Sequence, residues 1–135
     1  MSNKYSGACL CESVKFSVGD AKSKFICYCI DCRKNSGHLG QLLAKFDTED
    51  LSIDDPTGQL KEYTITRTSS GFPKKKVFCN TCGCTIMTQP MKYEGKVSIL
   101  RVTLLDNGIE TFLPEKCLFQ QERETYLGEV ACEFL

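Results

Sequence analysis

The chain has 135 residues, 41% of them hydrophobic, and its seventeen basic and seventeen acidic side chains cancel at neutral pH. Cancelled charge provides no long-range attraction towards nucleic acid or an anionic membrane, and no apolar run is long enough to span a bilayer. A single domain over residues 1–135, large enough to bury a core without disulfide support, is expected.

The predicted elements are mainly β. Val14-Lys15-Phe16-Ser17-Val18 alternates apolar and polar, as a half-buried strand does, and Phe25-Ile26-Cys27 reads as a second strand. Ile30 to Asn35 has room for one short helical turn, closed by Gly37. Leu39 to Phe46, Leu60 to Thr66, Lys76 to Cys79, Thr85 to Thr88, Val97 to Val102 and Lys116 to Gln120 are further strands, rich in β-branched and aromatic residues. Turn residues cluster at Asp54 to Gly58, Ser69 to Pro73 and Asp106 to Gly108.

Eight of the ten cysteines fall into three tight groups: Cys9 and Cys11; Cys27, Cys29 and Cys32; Cys79, Cys82 and Cys84. An even cysteine count also suits a secreted disulfide framework. The first residues, Met-Ser-Asn-Lys-Tyr-Ser-Gly-Ala, carry no apolar stretch of signal-peptide length, and Cys-x-Cys spacing suits a shared metal better than mutual pairing. The expectation is therefore free thiols, a reducing cytoplasmic location and tetrahedral zinc.

Cys79-x-x-Cys82-Gly83 is a zinc-knuckle pattern, in which two thiolates straddle a turn whose glycine allows positive φ. A knuckle needs two more ligands, and Cys9 and Cys11 offer two. Together they predict a closed structural site that couples metal binding to folding. Cys27, Cys29 and Cys32 then form a three-thiolate site with an open coordination position, where zinc chemistry takes place. His38 or Cys84 is the alternative fourth ligand, which would make the second zinc structural as well. Cys117 and Cys132 are read as buried small hydrophobes.

Three motifs resemble the glutathione-dependent formaldehyde-activating enzymes and the related CENP-V domain. They are Gly7-Ala8-Cys9-Leu10-Cys11, then Cys27-Tyr28-Cys29-Ile30-Asp31-Cys32-Arg33-Lys34-Asn35-Ser36-Gly37, and Phe78-Cys79-Asn80-Thr81-Cys82-Gly83. Arg67 to Gly71 and Val102 to Asp106 resemble further landmarks, so the likeness runs from Gly7 to about Leu127. It implies a zinc-bridged β-tent fold of short antiparallel sheets. It also implies two zinc ions per chain, structural on the first and third clusters and catalytic on the middle one. The implied activity is carbon–sulfur lyase chemistry resembling S-(hydroxymethyl)glutathione synthase, with a small thiol such as glutathione as partner and neither nucleic acid nor membrane. Arg33, Arg67 and the run Lys74 to Lys76 are the candidate contacts for glutathione's carboxylates. A non-catalytic zinc module of CENP-V type is the other function the resemblance allows. Glu12 stands where the family carries glycine, Tyr28 where it carries histidine and Cys84 where it carries a small hydroxyl residue. These departures bear on the substrate rather than the metal ligands, Tyr28 by removing a base near the site.

Overall fold

A computed structural model describes residues 3–127, arranged as two sheets. β1 (Tyr5–Ala8), β2 (Lys15–Val18) and β5 (Leu51–Asp54) form an antiparallel three-stranded sheet in the order β1-β2-β5. The larger sheet holds β3 (Ser23–Cys27), β4 (Gln41–Asp47), β6 (Leu60–Ile65), β7 (Lys74–Cys79), β8 (Thr85–Pro90), β9 (Val97–Arg101) and β10 (Lys116–Leu118). Its order is β10-β3-β4-β9-β8-β7-β6. All its pairings are antiparallel except β10 with β3, which is parallel.

Strand alternation decides what each face of the large sheet does. On β4, Ala44 and Phe46 are fully buried and join Phe16 and Val18 of the small sheet in one core. Phe112 closes that core edge-on to Phe46, with ring centroids 5.9 Å apart. The intervening Gln41, Leu43 and Lys45 point to the other face, beside Phe25 and Cys27 of β3. Leu43, Phe25, Cys27 and Cys32 form a second, smaller buried cluster there. One face of the sheet is thus core, and the other is the floor of a cleft.

The helical turn is present as α1 (Ile30–Ser36), and Gly37 ends it in the left-handed conformation (φ 66°), its N–H donating to the Arg33 carbonyl. The expected turn at Asp106 to Gly108 is present, with Asn107 left-handed (φ 55°), and it runs directly into a second short helix, α2 (Gly108–Thr111). Two strands are additions to the sequence reading. β1 contains Ser6 and Gly7, weak strand formers, and β5 lies between acidic pairs. Both exist because they pair with β2, a tertiary gain that local propensity does not register. Cys117 is exposed on β10, not buried as its apolar character suggests, because β10 lies at the sheet edge. Cys132 lies outside the described residues.

Gly7 is fixed by a close backbone approach rather than by its dihedral angles. It pairs with Phe16 and bridges to Leu105, and a Cβ there would stand 2.9 Å from the Leu105 Cα and closer still to the Leu104 carbonyl oxygen. Gly7→Ala should therefore lower stability by about 1–3 kcal/mol through overpacking. Gly19, with nothing within 4 Å of its would-be Cβ, is the control position. Denaturant unfolding of the two alanine variants checks this: equal midpoints would show that the Leu104–Leu105 segment yields freely.

Candidate metal centres

The first centre is assembled from two turns. After β1 the chain reverses, with the Cys9 N–H donating to the Val14 carbonyl and Glu12 N–H to the Cys9 carbonyl. Glu12 takes φ 64°, so the turn keeps a left-handed residue without glycine, at a cost of about 1–2 kcal/mol. After β7 a similar reversal joins Cys79 N–H to the Cys84 carbonyl and Gly83 N–H to the Cys79 carbonyl, with Gly83 at φ 74°. The two turns bring the sulfurs of Cys9, Cys11, Cys79 and Cys82 within 4.8 Å of one another.

The spacing fits one tetrahedral ion. Thiolates at about 2.3 Å from zinc stand about 3.8 Å apart along each tetrahedral edge. Here Cys9 Sγ to Cys11 Sγ is 3.7 Å and Cys11 Sγ to Cys79 Sγ is 3.8 Å. A disulfide would need about 2.05 Å, and all nine cysteines among the described residues are free thiols. Ser13 hydroxyl stands 3.0 Å from Cys11 Sγ and 3.4 Å from Cys79 Sγ. Its hydrogen bond is the main cause holding both thiols below their ordinary pKa, Cys79 at about 6. Backbone N–H groups of Thr81 and Cys82 also favour the Cys79 thiolate, which is the knuckle's usual electrostatics. Cys82 is pushed up to about 11, chiefly by burial.

The second centre sits where β3 runs into α1. Cys27 ends the strand, Cys29 caps the helix by accepting the Cys32 N–H (3.4 Å), and Cys32 lies in the helix's first turn. Their three sulfurs lie within 4.8 Å, and no fourth histidine, cysteine or carboxylate joins them among the described residues. Hydrogen bonds from the Cys27 and Cys32 thiols pull Cys29 down to about 2, while donating those bonds pushes both partners up. A donor set of three thiols sharing ionisation in this way is suited to a divalent cation, which would draw all three to thiolate.

The chain's single histidine, His38, lies elsewhere. It lines a separate cavity on the reverse side of β3 with Tyr28, whose ring is buried against Gly40. Position 28 alternates with Cys27 and Cys29 and faces away from the sulfurs. Tyr28 therefore removes no base from the cleft, correcting the sequence reading. Cys84 directs its thiol to the Thr85 carbonyl at 3.7 Å and stays outside both centres.

Cys27, Cys29 and Cys32 open into a cleft of about 510 Å³ along the free face of the large sheet. Of the expected anion contacts, Arg67 and Lys74 line it, and Lys74 pairs with Asp31 at 3.1 Å. Arg33 does not line it and pairs with Glu124 at 3.7 Å. Lys75 pairs with Glu62 at 3.5 Å, and Lys76 lies over the Phe78 ring.

Arg101 is a positioning residue without a local sequence signal. From β9 it donates to Gln41 Oε1 (2.7 Å), to the Thr85 carbonyl (3.3 Å) and to the Asn35 carbonyl near the end of α1. The half-buried guanidinium thereby ties the helix carrying Cys32 to the sheet carrying Cys27.

The family model for the glutathione-dependent formaldehyde-activating enzyme matches residues 4–122. The chain belongs to that family. A crystal structure of a Rhodobacter sphaeroides protein is similar in fold, with a TM-score of 0.61 at 21% identity, over 84% of this chain and 98% of that one. No curated protein matches the chain. The family match spans all seven clustered sulfurs, so both cysteine groups belong to the matched region.

Two outcomes are expected. Cys79→Ser should give unfolded or insoluble protein, whereas Cys32→Ser should stay folded and lose one metal equivalent, as read by circular dichroism and elemental analysis. The reverse pattern would exchange the roles of the two centres. Arg101→Gln should lower unfolding free energy by about 1–3 kcal/mol, because the carbonyls of half-buried Asn35 and buried Thr85 lose a charged donor. It should also speed metal loss from the three-cysteine centre to a chelator; unchanged release kinetics would show that the tie does not bear on the metal.

Proposed function

We propose that the chain is a zinc-dependent enzyme of carbon–sulfur lyase type, acting on the adduct of an aldehyde such as formaldehyde with glutathione or another small thiol. The observation that carries this reading is the three-sulfur group lining a cleft with no fourth protein ligand among the described residues. The four-sulfur centre would hold one zinc as a structural clamp, and Cys27, Cys29 and Cys32 would hold the second. Zinc in such a three-thiolate site lowers the pKa of a thiol or polarises a carbonyl oxygen.

The chain's own groups do the rest. In the synthetic direction the ligand's sulfur bonds to the formaldehyde carbon, and the thiol proton ends on the former carbonyl oxygen. Lys74 stands near Cys29 and favours negative charge there. Phe25, Leu43, Ile99 and Leu118 give the floor an apolar surface that displaces water and strengthens local electrostatics. With His38 on the reverse side, proton transfer at the cleft uses no imidazole. A small-molecule thiol as partner, a cytoplasmic setting and the absence of a nucleic-acid or membrane role belong to the same reading.

Calorimetry of zinc-loaded protein with glutathione, repeated in buffers of different ionisation enthalpy, should show proton release on binding. Exchange NMR should show faster equilibration of glutathione and formaldehyde with S-hydroxymethylglutathione. Cys29→Ser should abolish both effects. A folded, fully loaded protein that binds no thiol would instead favour the zinc interaction module.

A further inference from the structure

The cleft holds much more positive charge than the protein as a whole. Five of the chain's seventeen basic residues line it (Lys45, Arg67, Lys74, Lys92 and Lys116), but only two of its seventeen acids, Asp31 and Glu122. Lys74 is neutralised by Asp31. The other four basic residues have no carboxylate ion pair among the described residues.

Two of them converge on one aromatic ring. Lys45 Nζ lies 4.7 Å and Lys92 Nζ 5.1 Å from the centroid of Tyr93. Lys45 comes from the middle of β4, while Lys92 and Tyr93 come from the 3₁₀ turn after β8, so three separate side chains meet across the sheet. Each ammonium group is held near the ring by cation–π contact with no carboxylate beside it, and such contact is weaker than a charge-assisted hydrogen bond to an anion. The phenol responds to the same field, its pKa lowered chiefly by Lys45. A ligand anion is what this trio lacks.

Strand register gives its distance from the sulfurs. Cys27 pairs with Gln41 and Ser23 with Lys45, so Lys45 lies four residues along the same strands from the three-cysteine centre. At about 3.3 Å per residue that is about 13 Å. Glutathione carries its thiol on the central residue, and when extended its γ-glutamyl carboxylate lies about 10 Å from the sulfur; a lysine side chain covers the remainder. Between the two ends lies the apolar floor of Leu43 and Ile99.

The geometry points to a carboxylate-binding site formed by Lys45, Lys92 and Tyr93 at the far end of the cleft, which selects extended thiol ligands carrying an acid about 10 Å from the sulfur. The inference rests on the thiol-adduct reading and assigns its ligand preference. It places the principal carboxylate contact away from Arg33, which the sequence suggests, and on residues with no motif of their own. Short thiols reach the cysteine centre without reaching this site. Arg67 and Lys116 stand at the cleft edges and add screened attraction.

The test uses zinc-loaded full-length protein and calorimetric titration with four probes: glutathione, its diethyl ester, S-methylglutathione and 2-mercaptoethanol. Wild type should bind glutathione about tenfold more tightly than the diester, since a charge-assisted contact is lost. In Lys45→Gln/Lys92→Gln that ratio should fall to about one, and so should the salt dependence of glutathione binding. S-Methylglutathione, which cannot supply a thiolate, should still discriminate wild type from the double variant. Unchanged thermal unfolding of the variant keeps the comparison valid, because neither lysine is part of the core. Equal affinity for glutathione and its diester in wild type, or an unchanged ratio in the variant, overturns the carboxylate site. Cys29→Ser separates the two readings. If it leaves glutathione affinity intact while the lysine variant loses it, the carboxylate site stands and the metal–thiol reading falls; the converse result overturns the carboxylate site alone.

Discussion

The fold depends on the meeting of two distant turns at four sulfurs. Cys11 and Cys79 are 68 residues apart, yet their sulfurs lie 3.8 Å apart. Closing a loop of that length in the unfolded chain costs about 4 kcal/mol of entropy, so the group needs a strong bond to persist. Cys79 is fully buried at the end of β7 and Cys9 nearly so after β1, which seats the centre in the main core. A divalent ion there would tie the small sheet to the large one and offset the closure cost. Glu12 in a left-handed turn is a local strain consistent with such a clamp, since the surrounding structure must hold it.

The main core takes one face of the large sheet, and the other face stays open as the cleft. A sheet with both faces buried leaves no room for a ligand. Here Ala44 and Phe46 commit one side of β4 to the core, while Gln41, Leu43 and Lys45 furnish the other with a polar, an apolar and a charged position in sequence. The three-cysteine centre lies at one end of that row, on the strand-to-helix junction, where Arg101 fixes the helix from below. Reactive and recognition groups thus sit on rigid strands, which limits how much conformational freedom binding must remove.

The two cysteine groups differ in how they manage charge. Ser13 and backbone N–H groups surround the four-sulfur centre with donors. In the three-sulfur centre the thiols serve chiefly as donors to one another, with the Cys32 N–H and the charge of Lys74 also favouring the Cys29 thiolate. A site already ringed by protein donors suits a permanent occupant, whereas one that relies mainly on its own members has capacity left for an incoming group. This contrast parallels the difference between structural and catalytic roles.

The sequence by itself determined the cysteine groups, because their spacing is a covalent property: residues one or two apart in a turn must stay close to one another. It also determined the β-rich class and α1, whose Gly37 stop is legible from local conformational preference. Tertiary structure alone decided which groups share the cleft. Tyr28 lies next to two cysteines in sequence, yet its ring packs against Gly40 and lines the cavity on the reverse side. Arg33 follows Cys32 directly and pairs with Glu124 outside the cleft. Lys45, Lys92 and Tyr93 come from segments with no motif and meet only because β4, β9 and β8 are adjacent in the sheet. β1 and β5 were illegible for the same reason, their strand conformation being stabilised by pairing with β2 rather than by their own residues.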